Sequence, residues 1–184
     1  MRRLLFQSLI NQPVTQIAPP LDESEIAALA ARVDIASRRR LGRSLSIREV
    51  DAGSCNGCEL EIHALNNAIY DLERFGLRFV ASPRHADVLL VTGPLTLNMR
   101  EALSRTYVAT PGPKWVVAVG DCAINGGAFA GSYAVANGIA DAVPVDLAIA
   151  GCPPSPDQLL NGLLTLLESS SRSLDMPSAQ IESP

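Results

Sequence analysis

The chain has four cysteines, at positions 55, 58, 122 and 152. Cys55 and Cys58 form a C-x-x-C pair, whereas Cys122 and Cys152 stand alone. Each follows an apolar, β-branched run and sits beside glycine or proline, in Gly53-Ser54-Cys55-Asn56-Gly57-Cys58, Gly120-Asp121-Cys122 and Gly151-Cys152-Pro153-Pro154. Four cysteine thiolates are the ligand set of a cubane iron–sulfur cluster. The pattern therefore points to one 4Fe–4S cluster and to one-electron transfer.

Two other chemistries compete for the same residues. Structural zinc sites usually pair two short ligand spacings, and this chain offers one such pair. A zinc-holding, non-redox assembly subunit is the reading that would follow from that metal. A redox dithiol at Cys55 and Cys58 would leave Cys122 and Cys152 without a purpose. The N-terminal residues 1–10 carry Arg2 and Arg3 with apolar neighbours, but Gln7, Asn11, Gln12 and Pro13 interrupt the run. That is not the pattern of a secretory signal, and thiols in a chain that is not exported stay reduced.

For loops so far apart in sequence to meet, the elements between them must bring them to one place. The sequence predicts five strands, at 46–51, 77–80, 86–92, 115–119 and 145–149. The third and fourth are continuously apolar, as in strands buried on both faces. Helical patterns fill 59–75, about 97–108 and 157–169, the last with an apolar stripe of Leu159, Leu160, Leu163, Leu164 and Leu167. Strands alternating with helices predict a parallel α/β sheet. In such sheets ligands bind beyond the carboxyl ends of the strands, and the cysteines follow strands one, four and five. Gly53, Gly57, Gly120 and Gly151 allow the tight bends this needs, and Pro153 and Pro154 stiffen the last loop.

Three segments are expected along the chain. Residues 1–45 form an N-terminal extension, irregular to residue 20 and then an amphipathic docking helix outside the main domain. Its apolar positions are Ile26, Leu29, Ala30, Val33 and Ile35, and it ends on Arg38-Arg39-Arg40. Residues 46–169 form the iron–sulfur α/β domain. Residues 170–184, rich in Ser and Pro, read as a disordered tail. A net charge of −4 gives no overall attraction to nucleic acid, and the apolar runs are all shorter than the eighteen or so residues of a spanning helix. With aromatics at 4%, the core must be built from Ala, Val, Leu and Ile. Glu59 and Glu61 read as helix-start carboxylates favoured by the helix dipole. His63 reads as packed or surface, and His85 as structural or part of a subunit interface. Neither a P-loop nor a G-x-G-x-x-G occurs.

Several stretches resemble the cluster-bearing small-subunit family shared by respiratory complex I (its 20 kDa, or B, subunit) and energy-converting nickel–iron hydrogenases. They are Cys55-Asn56-Gly57-Cys58-Glu59-Leu60-Glu61, Glu73-Arg74-Phe75-Gly76, Ala81-Ser82-Pro83-Arg84-His85-Ala86-Asp87-Val88 and Thr92-Gly93-Pro94-Leu95-Thr96. Gly120-Asp121-Cys122-Ala123-Ile124-Asn125-Gly126-Gly127, Val143-Pro144-Val145-Asp146 and Gly151-Cys152-Pro153-Pro154 continue the match, which covers about residues 50–167.

The resemblance implies a flavodoxin-like fold and a single 4Fe–4S cluster on Cys55, Cys58, Cys122 and Cys152. It implies electron transfer, without turnover in the isolated chain, from a ferredoxin-like iron–sulfur subunit to a large subunit. Integral membrane subunits of the same complex would hold the chain peripherally on the cytoplasmic face of the inner membrane. Complex I members have two adjacent cysteines where this chain has Cys55-Asn56-Gly57-Cys58. The spaced form is most similar to the formate hydrogenlyase-type small subunit, so the expected end-point is a nickel–iron centre. Quinone is the alternative, reached through the 20 kDa subunit of a complex I-type NADH–quinone oxidoreductase.

Overall fold

The computed structural model describes residues 23–169. The expected irregular N-terminal segment and the expected C-terminal tail lie outside these residues.

Five parallel strands make one sheet: β1 (Ser46–Asp51), β2 (Arg78–Phe79), β3 (Val88–Thr92), β4 (Trp115–Val119) and β5 (Leu147–Ile149). Their spatial order is β2-β1-β3-β4-β5, which is the flavodoxin-like doubly wound order. Parallel neighbours need crossover connections, and these put helices on both faces. The helices are α1 (Glu23–Leu41), α2 (Gly57–Ala64), α3 (Arg100–Ala109), α4 (Asp121–Asn125) and α5 (Pro156–Glu168).

The period of two along each strand divides the core into two layers. Ile47, Val88, Leu90, Val117, Val119 and Ile149 face α1, α2 and α5. Val50, Leu89, Val91, Val116 and Ala118 face Leu103 of α3 and Ala123 of α4. Helix α5 starts on a capping box, in which the Ser155 hydroxyl accepts from Gln158 N–H and the Gln158 amide oxygen accepts from Ser155 N–H. Its leucines Leu159, Leu160 and Leu163 are fully buried, each contributing about 1.5–3 kcal/mol through burial.

Two expectations are corrected. The helix expected outside the domain packs inside it: Ala30 and Val33 are wholly buried and join the same cluster as Leu163 and Leu167 of α5. The buried positions 26, 30, 33 and 37 form the inward stripe, while Ile35 is 65% exposed. Small residues at positions 30 and 37 allow close approach to the core, and the Ser37 hydroxyl is satisfied by Arg43 C=O at 3.0 Å. The second correction concerns the helix expected over 59–75, which ends at Ala64. The Asn67 side-chain oxygen accepts from Ile69 N–H (2.9 Å) and Tyr70 N–H (3.0 Å), diverting amides that a helix would use. A short 3₁₀ turn, Leu72–Phe75, then leads into β2.

The starts of the strands are tied by carboxylates. Asp87 accepts from Arg43 Nη1 and from Ser46 N–H, both at 2.9 Å, joining the segment before β1 to the start of β3. Asp146 accepts from Val116 N–H at 2.8 Å, pinning the approach to β5 against β4.

Candidate iron–sulfur site

Each cysteine lies just past the carboxyl end of a strand. After β1, the Asp51 carboxylate accepts from Gly53 N–H and Ser54 N–H at 2.7 Å each, and the Ser54 hydroxyl accepts from Asn56 N–H at 3.1 Å. These bonds turn the chain so that Cys55 is exposed and Cys58 falls in the first turn of α2. The loop after β3 braces this turn, because both the N–H and the hydroxyl of Thr96 donate to Ala52 C=O, at 3.0 and 2.9 Å. After β4, Gly120 turns the backbone into α4 and places Cys122, 9% exposed, against the core. After β5, Cys152 is exposed, next to Pro153 and the buried Pro154.

These loops converge. A Cβ placed on Gly120 would stand 2.6 Å from Cys58 Sγ and 3.3 Å from Gly151 C=O. With φ at +84° as well, position 120 has room only for glycine. A Cβ on Gly57 would lie 3.5 Å from Cys55 Sγ and 4.0 Å from Pro153 Cδ. The thiols also interact electrostatically. Cys58 is pushed up to about 12, first by burial and then by Glu59, Cys122, Cys55 and Cys152. Burial likewise raises Cys122, with Cys152, Cys55 and Asp121 adding to the effect, while a hydrogen bond from the Ala128 backbone N–H opposes it. Cys58 and Cys122 thus remain neutral thiols near pH 7 unless bound positive charge stabilises their thiolates.

Among the described residues, no group of three or more His, Cys, Asp or Glu side chains is disposed to hold a single metal ion. The donor set and its setting nevertheless fit a cubane. It consists of four thiols on three loops, two thiols at the surface and two withdrawn from it, with a rim kept free of side-chain bulk at Gly120. A cubane presents iron at several corners, so its sulfur ligands stand farther apart than ligands around one ion.

Glu59 lies in the first turn of α2, as the helix-start reading has it, but it is not a solvated capping carboxylate. It is 7% exposed, makes no capping hydrogen bond, and both carboxylate oxygens lack a partner. Glu61 is half-buried. His63 is largely exposed and lies 3.6 Å from Glu49, a carboxyl raised above its ordinary range chiefly by burial although His63 opposes the shift. His85 is exposed in a 3₁₀ turn, away from the thiols in sequence and at the opposite end of β3. Sequence reasoning assigned no role to Asp51 or Asp121. The available signals were an aspartate four residues before Cys55 and another directly before Cys122.

Comparisons with known proteins agree with this architecture. Residues 55–166 match the family described as NADH ubiquinone oxidoreductase, 20 Kd subunit. The chain is 45% identical over 128 residues to the probable membrane-bound hydrogenase subunit mbhJ of Pyrococcus furiosus, covering 70% of this chain and 77% of that protein. It is 43% identical over 147 residues to formate hydrogenlyase subunit 7 of Escherichia coli, covering 80% of this chain and 56% of that one. Against the B subunit of NADH-quinone oxidoreductase from Heliobacterium modesticaldum the identity is 46% over 110 residues, 59% of this chain and 63% of the relative. The chain thus spans less than two thirds of the latter two relatives.

Among solved structures, a chain of the membrane-bound sulfane sulfur reductase, an archaeal respiratory membrane complex, superimposes with TM-score 0.62 at 37% identity. The match covers 74% of each chain. A chain of an NAD+-reducing NiFe-hydrogenase superimposes at 0.54 and 21% identity over 76% of this chain and 100% of that one, a likeness of fold alone.

Proposed function

The chain belongs to the NADH ubiquinone oxidoreductase 20 kDa subunit family, and from that premise we propose that it is the electron-transfer subunit of a membrane-attached hydrogenase complex of the formate hydrogenlyase type. Cys55, Cys58, Cys122 and Cys152 hold one 4Fe–4S cluster. When bound, the cluster supplies one-electron transfer between a ferredoxin-like iron–sulfur subunit and the large subunit.

The observation that carries this reading is the meeting of three cysteine loops at one end of the sheet, where Cys58 Sγ lies over Gly120 and its thiol feels the other three. The chain's own residues hold and shield the group. Cys122 and Cys58 approach from the core side, where burial excludes water, and Cys55 and Cys152 face the surface from which a partner approaches. Beside Cys122, the segment 126–137 is pinned to 95–97 by bonds such as Leu97 N–H to Ala134 C=O at 2.9 Å. It presents Phe129 and Tyr133 to solvent, with Leu97 alongside, at 43%, 96% and 55% exposure. Exposed apolar area next to a site is the mark of a covered interface, and the large subunit is the partner we assign to it. Among the described residues no helix is long and apolar enough to cross a membrane; from the family membership we assign the attachment to integral membrane subunits, on the cytoplasmic face of the inner membrane.

The hydrogenase end-point is supported by the spaced Cys55-Asn56-Gly57-Cys58 and by longer alignments to hydrogenase subunits (128 and 147 residues) than to the quinone-linked relative (110). The test is metal and spin analysis of the purified complex. We expect about four irons on this chain, a spin signal on reduction, and nickel in the large subunit. Iron without nickel, together with quinone-dependent oxidation, would move the end-point to quinone. Zinc without iron would overturn the electron-transfer role.

A further inference from the structure

We propose that Asp121 is a positioning residue that locks the Cys122 and Cys152 loops to one another. The consequence for a cluster rests on the ligand reading above. The lock itself is visible in the hydrogen bonds.

Cys152 is the ligand least secured by the sheet. Its loop follows β5, a three-residue strand at the sheet edge whose register against β4 ends at the pair Val119 and Ile149. Beyond that pair the ladder continues outside the strands, through Gly120 N–H to Ile149 C=O at 2.8 Å and Asp121 N–H to Gly151 C=O at 2.9 Å. The Asp121 carboxylate then turns back, and its Oδ1 accepts from Gly151 N–H at 2.9 Å. A single residue therefore holds both the N–H and the carbonyl of Gly151. This two-point grip fixes the orientation of the backbone on entry to Cys152, while the residue following Asp121 is Cys122 itself. Two of the four thiols, Cys122 and Cys152, are thus tied to the short run 120–122, against which Cys58 Sγ also packs at Gly120.

The grip needs an acceptor atom at the reach of Asp121 Oδ1, and it does not need the negative charge. Asn keeps a side-chain oxygen at that reach; Ala leaves Gly151 N–H unpaired and frees the loop. Groups outside the metal-ligand shell that orient ligands typically change metal affinity by about 10–100-fold when removed.

The experiment compares wild-type, Asp121→Asn and Asp121→Ala chains in the assembled complex. It follows iron loss to a chelator and the reduced-state spin spectrum. Asp121→Ala is expected to lose iron about 10–100-fold faster with an altered spectrum. Asp121→Asn should keep both close to wild type, with a potential raised by loss of the charge. Asp121→Ala matching wild type in both, or Asp121→Asn failing as badly as Ala, would overturn the proposal. Peptide amide exchange over residues 149–153 in the wild-type complex gives a reading that needs no weakened variant: slow exchange is expected, and rapid exchange would mean the grip is not held. A wild-type complex without iron would instead overturn the cluster reading, which separates the two failures.

Discussion

At both ends of the sheet, aspartates accept hydrogen bonds from backbone amides, yet the two ends are built differently. Where the strands begin, the Asp87 side chain is 4% exposed and receives both Arg43 and Ser46 N–H, and Asp146 receives Val116 N–H. Charge and hydrogen-bonding capacity are matched there, and the result is register between strands. Where the strands end, Asp51 and Asp121 hold the turns leading to thiols, but the groups beside them are left unmatched. Glu59 is buried with two bare oxygens, Cys58 resists ionisation, and Cys55 and Cys152 lie open. A buried polar group without a partner costs about 1–3 kcal/mol. Among the described residues, Glu59 is the carboxylate with both oxygens buried and unpartnered, while Arg48 Nε and Glu49 Oε1 within β1 are bare at one atom each. One end of the sheet ties strand to strand, and the other gathers the four thiols that we propose as cluster ligands.

The largest expected effect breaks the second end alone. Cys122→Ser should abolish the intact cubane while leaving the sheet formed; a normal reduced-state spin signal with full iron in that variant would contradict its role as a ligand. The converse variant is Asp87→Ala, which leaves Ser46 N–H unpaired at a buried position. It should lower unfolding free energy by about 2 kcal/mol with iron content unchanged, as denaturant titration and iron assay would show.

Glu59→Gln sharpens the contrast further. It removes a buried negative charge while preserving shape, so stability should stay within about 1 kcal/mol of wild type. The cluster's reduced form, being the more negative, should gain from the change. A tenfold shift in the reduction equilibrium corresponds to about 59 mV upward for one electron, measurable by redox titration. An unchanged potential would place Glu59 out of electrostatic contact with the site.

The smallest effect concerns pH. In the cluster-free chain the Cys58 thiol is pushed up to about 12, from 9.0 when free, chiefly by burial. The folded state therefore holds this proton more tightly than the unfolded one. Its contribution to stability is complete below pH 9 and is lost as pH rises from there toward 12. Thermal unfolding of the cluster-free chain should show this alkaline decline, and Cys58→Ala should flatten it.

Much of this was legible in the residues. Trp115–Val119 reads as a strand because five apolar residues, mostly β-branched or aromatic, stand between turn signals, and the structure gives the same bounds. The parallel sheet followed from alternation of strands and helices, and the flavodoxin-like expectation matches the observed topology. The helix over 59–75 misled because its apolar spacing continued past Asn66-Asn67, where side-chain capture of backbone amides outweighed periodicity. Helix α1 misled differently. Its inward stripe continues through Ser37, which hydrophobicity does not mark, whereas Ile35, which it does mark, faces water. The partnerless state of Glu59 and the grip of Asp121 on Gly151 depend on packing between distant loops, to which local pattern is blind.

The most direct test of the central claim is iron-edge anomalous scattering from crystals of the purified complex. The account predicts four iron atoms in one compact group at the carboxyl ends of β1, β4 and β5, bonded to the sulfurs of Cys55, Cys58, Cys122 and Cys152. A single metal ion there, or an iron group that leaves any one of these four sulfurs unbonded, would contradict it.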